Sequence, residues 1–75
     1  MKTLEIKLLN IQDVREFVNK VVMIEYEVDL QQGRYTIDAK SIMGIFSLDL
    51  MNPITVIAHT DYAGDFFESL EKFKV

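Results

Sequence analysis

Apolar and polar residues alternate from Thr3 to Leu8, with Leu4, Ile6 and Leu8 against Glu5 and Lys7. A period of two predicts a strand with one buried face. The period then lengthens: Val14, Phe17, Val18 and Val21 fall at i, i+3, i+4 and i+7. That spacing makes one stripe of a helix starting between Asn10 and Asp13, and either residue can cap it through a short side-chain acceptor. Alternation returns with Ile24, Tyr26, Val28 and Leu30 opposite Glu25, Glu27 and Asp29. Gln31-Gln32-Gly33-Arg34 reads as a turn in which Gly33 is free to adopt positive φ. Tyr35, Ile37 and Ala39 alternate with Thr36 and Asp38, so the two runs predict a hairpin.

Ser41 then caps a short helix bearing Ile42, Met43, Ile45 and Phe46. Asn52-Pro53 ends that region, because proline cannot continue a helix and pushes its predecessor toward extended geometry. Ile54 to Ala58 is a mostly apolar strand. Thr60 or Asp61 is expected to start a last helix that buries Ala63, Phe66, Phe67, Leu70 and Phe73. Lys72 and Lys74 fall in its last turn, where positive charge suits the dipole. The order is β-α-β-β-α-β-α. An antiparallel sheet patterned this way is covered on one side only, so the three helices are expected to pack together there as a two-layer α+β sandwich.

Composition narrows the setting. Seventy-five residues make one domain, 1–75, with an apolar fraction of 49% to fill its core. Without cysteine there is no disulfide framework and no thiolate metal site. The start Met1-Lys2-Thr3-Leu4-Glu5 reads as mature sequence rather than a leader, and a cytoplasmic protein is expected. The run Val21-Val22-Met23-Ile24 is too short to span a bilayer. A net charge of −4 without a basic cluster disfavours nucleic acid and anionic membranes as partners. No residue pattern calls for a cofactor or a metal.

One stretch carries more information than the rest: Lys40-Ser41-Ile42-Met43-Gly44 with Ser47-Leu48. It resembles the segment around the regulatory serine of HPr, the small phosphocarrier of the bacterial sugar phosphotransferase system. Glu16-Phe17-Val18, Gln32-Gly33-Arg34, the strand Ile54 to Ala58 and the terminal helix support the likeness over nearly the whole chain. The resemblance implies the HPr-like open-faced β-sandwich, a four-stranded antiparallel sheet with three helices on one side.

The resemblance also exposes a departure. HPr carries a Gly-Leu-His-Ala/Thr-Arg-Pro type motif between its first strand and first helix. Counting back from Phe17, Asn10 falls at the histidine, Gln12 at the arginine and Asp13 at the proline. The amide lone pair of asparagine is delocalised and is no phosphoryl acceptor, and Asp13 adds negative charge beside an incoming phosphate. Arg15 does not replace the missing nucleophile. Histidine phosphocarrier activity is therefore not expected. A subset of the family lacks the histidine, keeps the serine and serves as a regulatory co-effector, and this chain looks similar.

On that likeness Ser41 is the candidate for regulatory phosphorylation, with its N-cap role as the plain alternative. Ile42, Met43 and Phe46 are the candidate partner-binding residues, since not all the apolar positions of a two-turn helix can be buried. The implied partners are phosphotransferase-system components, an HPr-type serine kinase or a transcription regulator. His59, the only histidine, reads as a hydrogen-bonded or solvated loop residue rather than an acid-base group. Glu25, Glu27 and Asp29 read as a solvated strand face. Two rival functions remain: a phosphocarrier using a non-standard acceptor such as His59, and a structural interaction domain unrelated to sugar transport.

Overall fold

The computed structural model describes all 75 residues. The elements are β1 (Lys2–Ile6), α1 (Ile11–Val21), β2 (Val28–Gln32), β3 (Tyr35–Asp38), α2 (Ile42–Phe46), β4 (Ile54–Ala58) and α3 (Gly64–Ser69). A single 3-10 turn, Glu71–Phe73, follows. The strands form one antiparallel sheet in the order β1-β4-β2-β3.

Register explains which face is covered. Leu4, Val56, Leu30 and Ile37 lie side by side across all four strands. The neighbouring row, Glu5, Thr55, Gln31 and Thr36, is polar. Because side chains alternate across a strand, the first row faces the helices and the second faces solvent. Phe17 and Val14 of α1, Ile45 of α2, and Phe66 and Leu70 near α3 close over the apolar row in one core. This is the α+β architecture anticipated from the pattern.

Several boundaries differ from the sequence reading. β1 stops at Ile6, although Leu8 is still buried. β2 starts only at Val28. Ile24 and Tyr26 lie in the turn leaving α1 and pack against the core without joining the sheet. Their alternation reported burial, not strand pairing. Gln31 and Gln32 belong to β2, so the turn is only Gly33-Arg34, with Gly33 at φ 58°.

α3 starts at Gly64 after Ala63, which offers no side-chain cap. Thr60 instead accepts from the Tyr62 amide at 3.2 Å, a local turn that competes with helix initiation. Lys72 does not simply face the helix end. Its ammonium donates to both carboxylate oxygens of Glu16 on α1, at 2.8 and 3.0 Å. Beyond it, Phe73 O accepts from Lys7 N, and Val75 N donates to Glu5 O. The last residues thus lie along the outer edge of β1 and cover part of it.

Candidate functional site: two capped junctions and an apolar face

Two strand-to-helix junctions carry the sequence candidates. In the first, Asn10 is extended, and its Oδ1 accepts from the Asp13 amide at 2.9 Å. Asp13 reciprocates: its Oδ2 accepts from the Leu9 amide at 3.0 Å. Both residues named as possible caps are therefore used, one at the cap and one three positions on, in a reciprocal capping arrangement. Gln12 is exposed on the first turn of α1, and Arg15 is exposed one residue after Val14. Chemically the junction presents a carboxamide and a carboxylate, both already engaged.

The second junction is built from Asp38 onward. Its carboxylate accepts from the Lys40 amide at 2.9 Å and its carbonyl from the Ser41 amide at 3.0 Å. Ser41 then caps α2, its Oγ accepting from the Gly44 amide at 3.1 Å. The hydroxyl proton is not used in that bond, and the residue is exposed. Gly44 sits in a close fit. A Cβ there would stand 3.1 Å from both Ile37 Cδ1 and Ser41 Oγ, pressing on the cap itself.

α2 is only five residues long, and Ile45 is its one buried residue. Ile42, Met43 and Phe46 remain 38%, 77% and 43% exposed. The sequence reading anticipated that not all the apolar side chains here could be buried; three are exposed. Sequence reasoning missed a fourth, Met51 in the following loop, 82% exposed. The only signal was its place just before Asn52-Pro53. Neither concave region of the surface lies at this face. One is a polar hollow of about 150 Å³ lined by Glu27, Val28, Asp29, Asp38 and Lys40. The other is a groove of about 310 Å³ between Met23 and Phe66.

His59 lies elsewhere, just past β4. Its Nε2 is 2.8 Å from Asp29 Oδ2, and its amide donates to Glu27 O. Asp29 is thus not merely solvated; it ties the end of β4 to β2. Cross-strand from Asp29 stands Asp38, and one carboxylate, that of Asp29, meets the imidazole. The fold does not bring His59, Asn10 and Ser41 into one cluster.

No protein-family model and no curated protein sequence matches the chain. Solved structures do. The crystal structure of HPr-C-His from Thermoanaerobacter tengcongensis superposes with a TM-score of 0.80 at 24% identity, covering 96% of this chain and 89% of that one. The phosphocarrier protein HPr of Bacillus anthracis str. Ames gives 0.72 at 25% identity, covering 99% and 94%. The agreement spans both chains almost end to end.

Proposed function

The chain is an HPr-like protein, and from that premise we propose that it acts by binding other proteins, switched by phosphorylation of Ser41, without carrying phosphate on histidine. It belongs in this reading to the regulatory side of a sugar phosphotransferase system. One observation carries the proposal: an exposed serine caps the start of α2, the short helix that also bears the exposed Ile42, Met43 and Phe46. A phosphate there adds a charge of about −1.5 to −2 at the edge of an apolar face, which alters what that face can dock. Flexible methionine and large phenylalanine suit contacts with more than one partner. Neither concave region is lined by these residues, which favours a protein surface as ligand, since small-molecule sites are usually concave.

In the switching step Ser41 Oγ attacks the γ-phosphorus of ATP on a kinase. The P–O bond to ADP breaks, and the hydroxyl proton passes to a base of the kinase. The first junction opposes the alternative chemistry. Asn10 has no nucleophilic nitrogen, and Asp13 would repel phosphate. His59 Nε2 is already engaged with the Asp29 carboxylate, which repels an incoming phosphoryl group.

The test uses the purified chain with an HPr-type serine kinase and ATP, and separately with enzyme I and phosphoenolpyruvate. One acid-stable phosphate, mapped to Ser41, is expected from the kinase, and none from enzyme I. An acid-labile phosphate from enzyme I that disappears in His59→Ala would establish a carrier instead. If neither enzyme modifies the chain, an interaction domain outside sugar transport is the better account.

A further inference from the structure

The two edges of the sheet end differently. Along β1 the last residues close part of the edge, with Val75 N donating to Glu5 O and Ile6 bridged to Lys74. Along β3 nothing does so. The Ala39 amide donates to Val28 O at 3.0 Å, so by alternation the amides of Ile37 and Tyr35 also face β2. Those of Thr36 and Asp38 face outward, and no other segment gives Thr36 a backbone partner. The strand reads Tyr35-Thr36-Ile37-Asp38, mostly strong strand formers, with no proline, lysine or bulge to deter pairing. Its one guard is its length of four residues, which keeps any pairing weak and reversible.

Charge on this edge is unanswered as well. The ion pairs of the chain join Met1 to Asp61, Asp29 to His59 and Glu16 to Lys72. Arg34 and Asp38, both exposed, belong to none of them. Asp38 stands directly opposite Asp29, and like charges so placed cost stability.

We infer that β3 pairs with β3 of a second copy of the chain, antiparallel about a twofold axis at Thr36. Opposed residues must share orientation, so the axis falls on a residue and not between two. At Thr36, that residue meets its own copy, and the two exchange both backbone bonds through their outward groups. Tyr35 then meets Ile37 of the other copy, and Arg34 meets Asp38, each twice by symmetry. A threonine pair, an aromatic against a β-branched residue and opposite charges are the cross-strand pairs that stabilise antiparallel sheets. An axis at Ile37 would set Arg34 against Lys40, and one at Tyr35 would set Asp38 against Gln32; neither answers the charge on Asp38. The pairing also covers Tyr35, which is 67% exposed. Two four-stranded sheets become one of eight strands. Its outer edges are the two β1 strands, already partly covered, so assembly closes at two copies.

The test is sedimentation of the purified chain from about 1 μM to about 1 mM, a range that brackets weak association. Salt is held near 0.15 M, so that the net charge of −4 on each copy is screened. Amide exchange is followed at Thr36 in the same samples. A monomer–dimer equilibrium is expected, with Thr36 exchange slowing as concentration rises. Thr36→Pro removes an outward amide and leaves the β2 pairing intact, so it should abolish the dimer. Arg34→Glu, in the exposed turn, should weaken it roughly tenfold, as two attractive pairs become repulsive. Asp38→Lys should weaken it similarly, while an equimolar mixture of these two variants should dimerise again, because every pair across the axis is then of opposite sign. A wild-type chain that stays monomeric throughout overturns the inference. So does a dimer that keeps its affinity in Thr36→Pro or in Arg34→Glu; the latter decides the matter if proline disturbs the fold.

Discussion

The two strand-to-helix junctions solve one physical problem with different chemistry. A helix start leaves backbone amides without partners, and a short side-chain acceptor satisfies one of them. At α1 the acceptor is the Asn10 carboxamide; at α2 it is the Ser41 hydroxyl. Geometry is nearly shared, with an extended cap residue accepting from the amide three positions on. Reactivity is not shared, because the hydroxyl is an oxygen nucleophile and the carboxamide is none. The surroundings diverge too. The first cap is answered by the Asp13 carboxylate. The second stands exposed at the head of a helix that bears exposed apolar side chains. Capping alone thus says little about function; the atom that caps, and what stands beside it, decide.

The sharpest way to break the comparison is Ser41→Asn, which makes the second cap like the first. Asparagine and serine cap about equally well, so stability should change by no more than a few tenths of a kcal/mol. Phosphorylation by an HPr-type serine kinase should be abolished, as read by mass. Label retained on this variant places the acceptor elsewhere.

A smaller effect is expected at the other junction. Asn10→Ala should cost about 1 kcal/mol in urea denaturation through the lost cap. Phosphorylation of Ser41 should proceed at the wild-type rate. A large loss of kinase turnover in this variant would join the two junctions functionally and end the contrast drawn between them.

The smallest effect concerns how α1 is tied down. Lys72 is held above the ordinary lysine value, chiefly by its hydrogen bond with Glu16, against a partial offset from desolvation. Tyr26, in the turn after α1, is also raised, first by burial and then by the nearby Asp65 charge. In both cases the folded chain holds its proton more tightly than the unfolded one. The contribution is thus fully present below the unfolded value and fades as pH rises through the folded one. Stability should be level in these two groups at neutral pH and decline above about pH 10. Tyr26→Phe should make that decline shallower, and thermal melts across the alkaline range can measure it; an unchanged slope removes Tyr26 from the explanation.

Much of this was legible along the chain. Period two and period 3.6 identified four strands and three helices; the cap Ser41 was readable, and the first cap was narrowed to Asn10 or Asp13, because capping is a local bond between residues three apart. Boundaries were less so. Ile24 and Tyr26 alternate like strand residues, yet pairing is settled by a partner strand, and β4 is only five residues long. Thr60 and Asp61 looked like helix starters but were spent in a turn.

What the amino-acid order determined by itself, then, was each local bond and each buried stripe, since those depend on neighbours within one or two turns. It also determined the chemistry at each cap, a hydroxyl in one place and an amide in the other. The tertiary structure alone decided the contacts that span the chain: Gln32 gripping the loop at Asp49, Lys72 reaching Glu16, His59 meeting Asp29. Nothing in a local pattern encodes which distant polar groups will meet, because sheet order and register set those distances only after the core has closed.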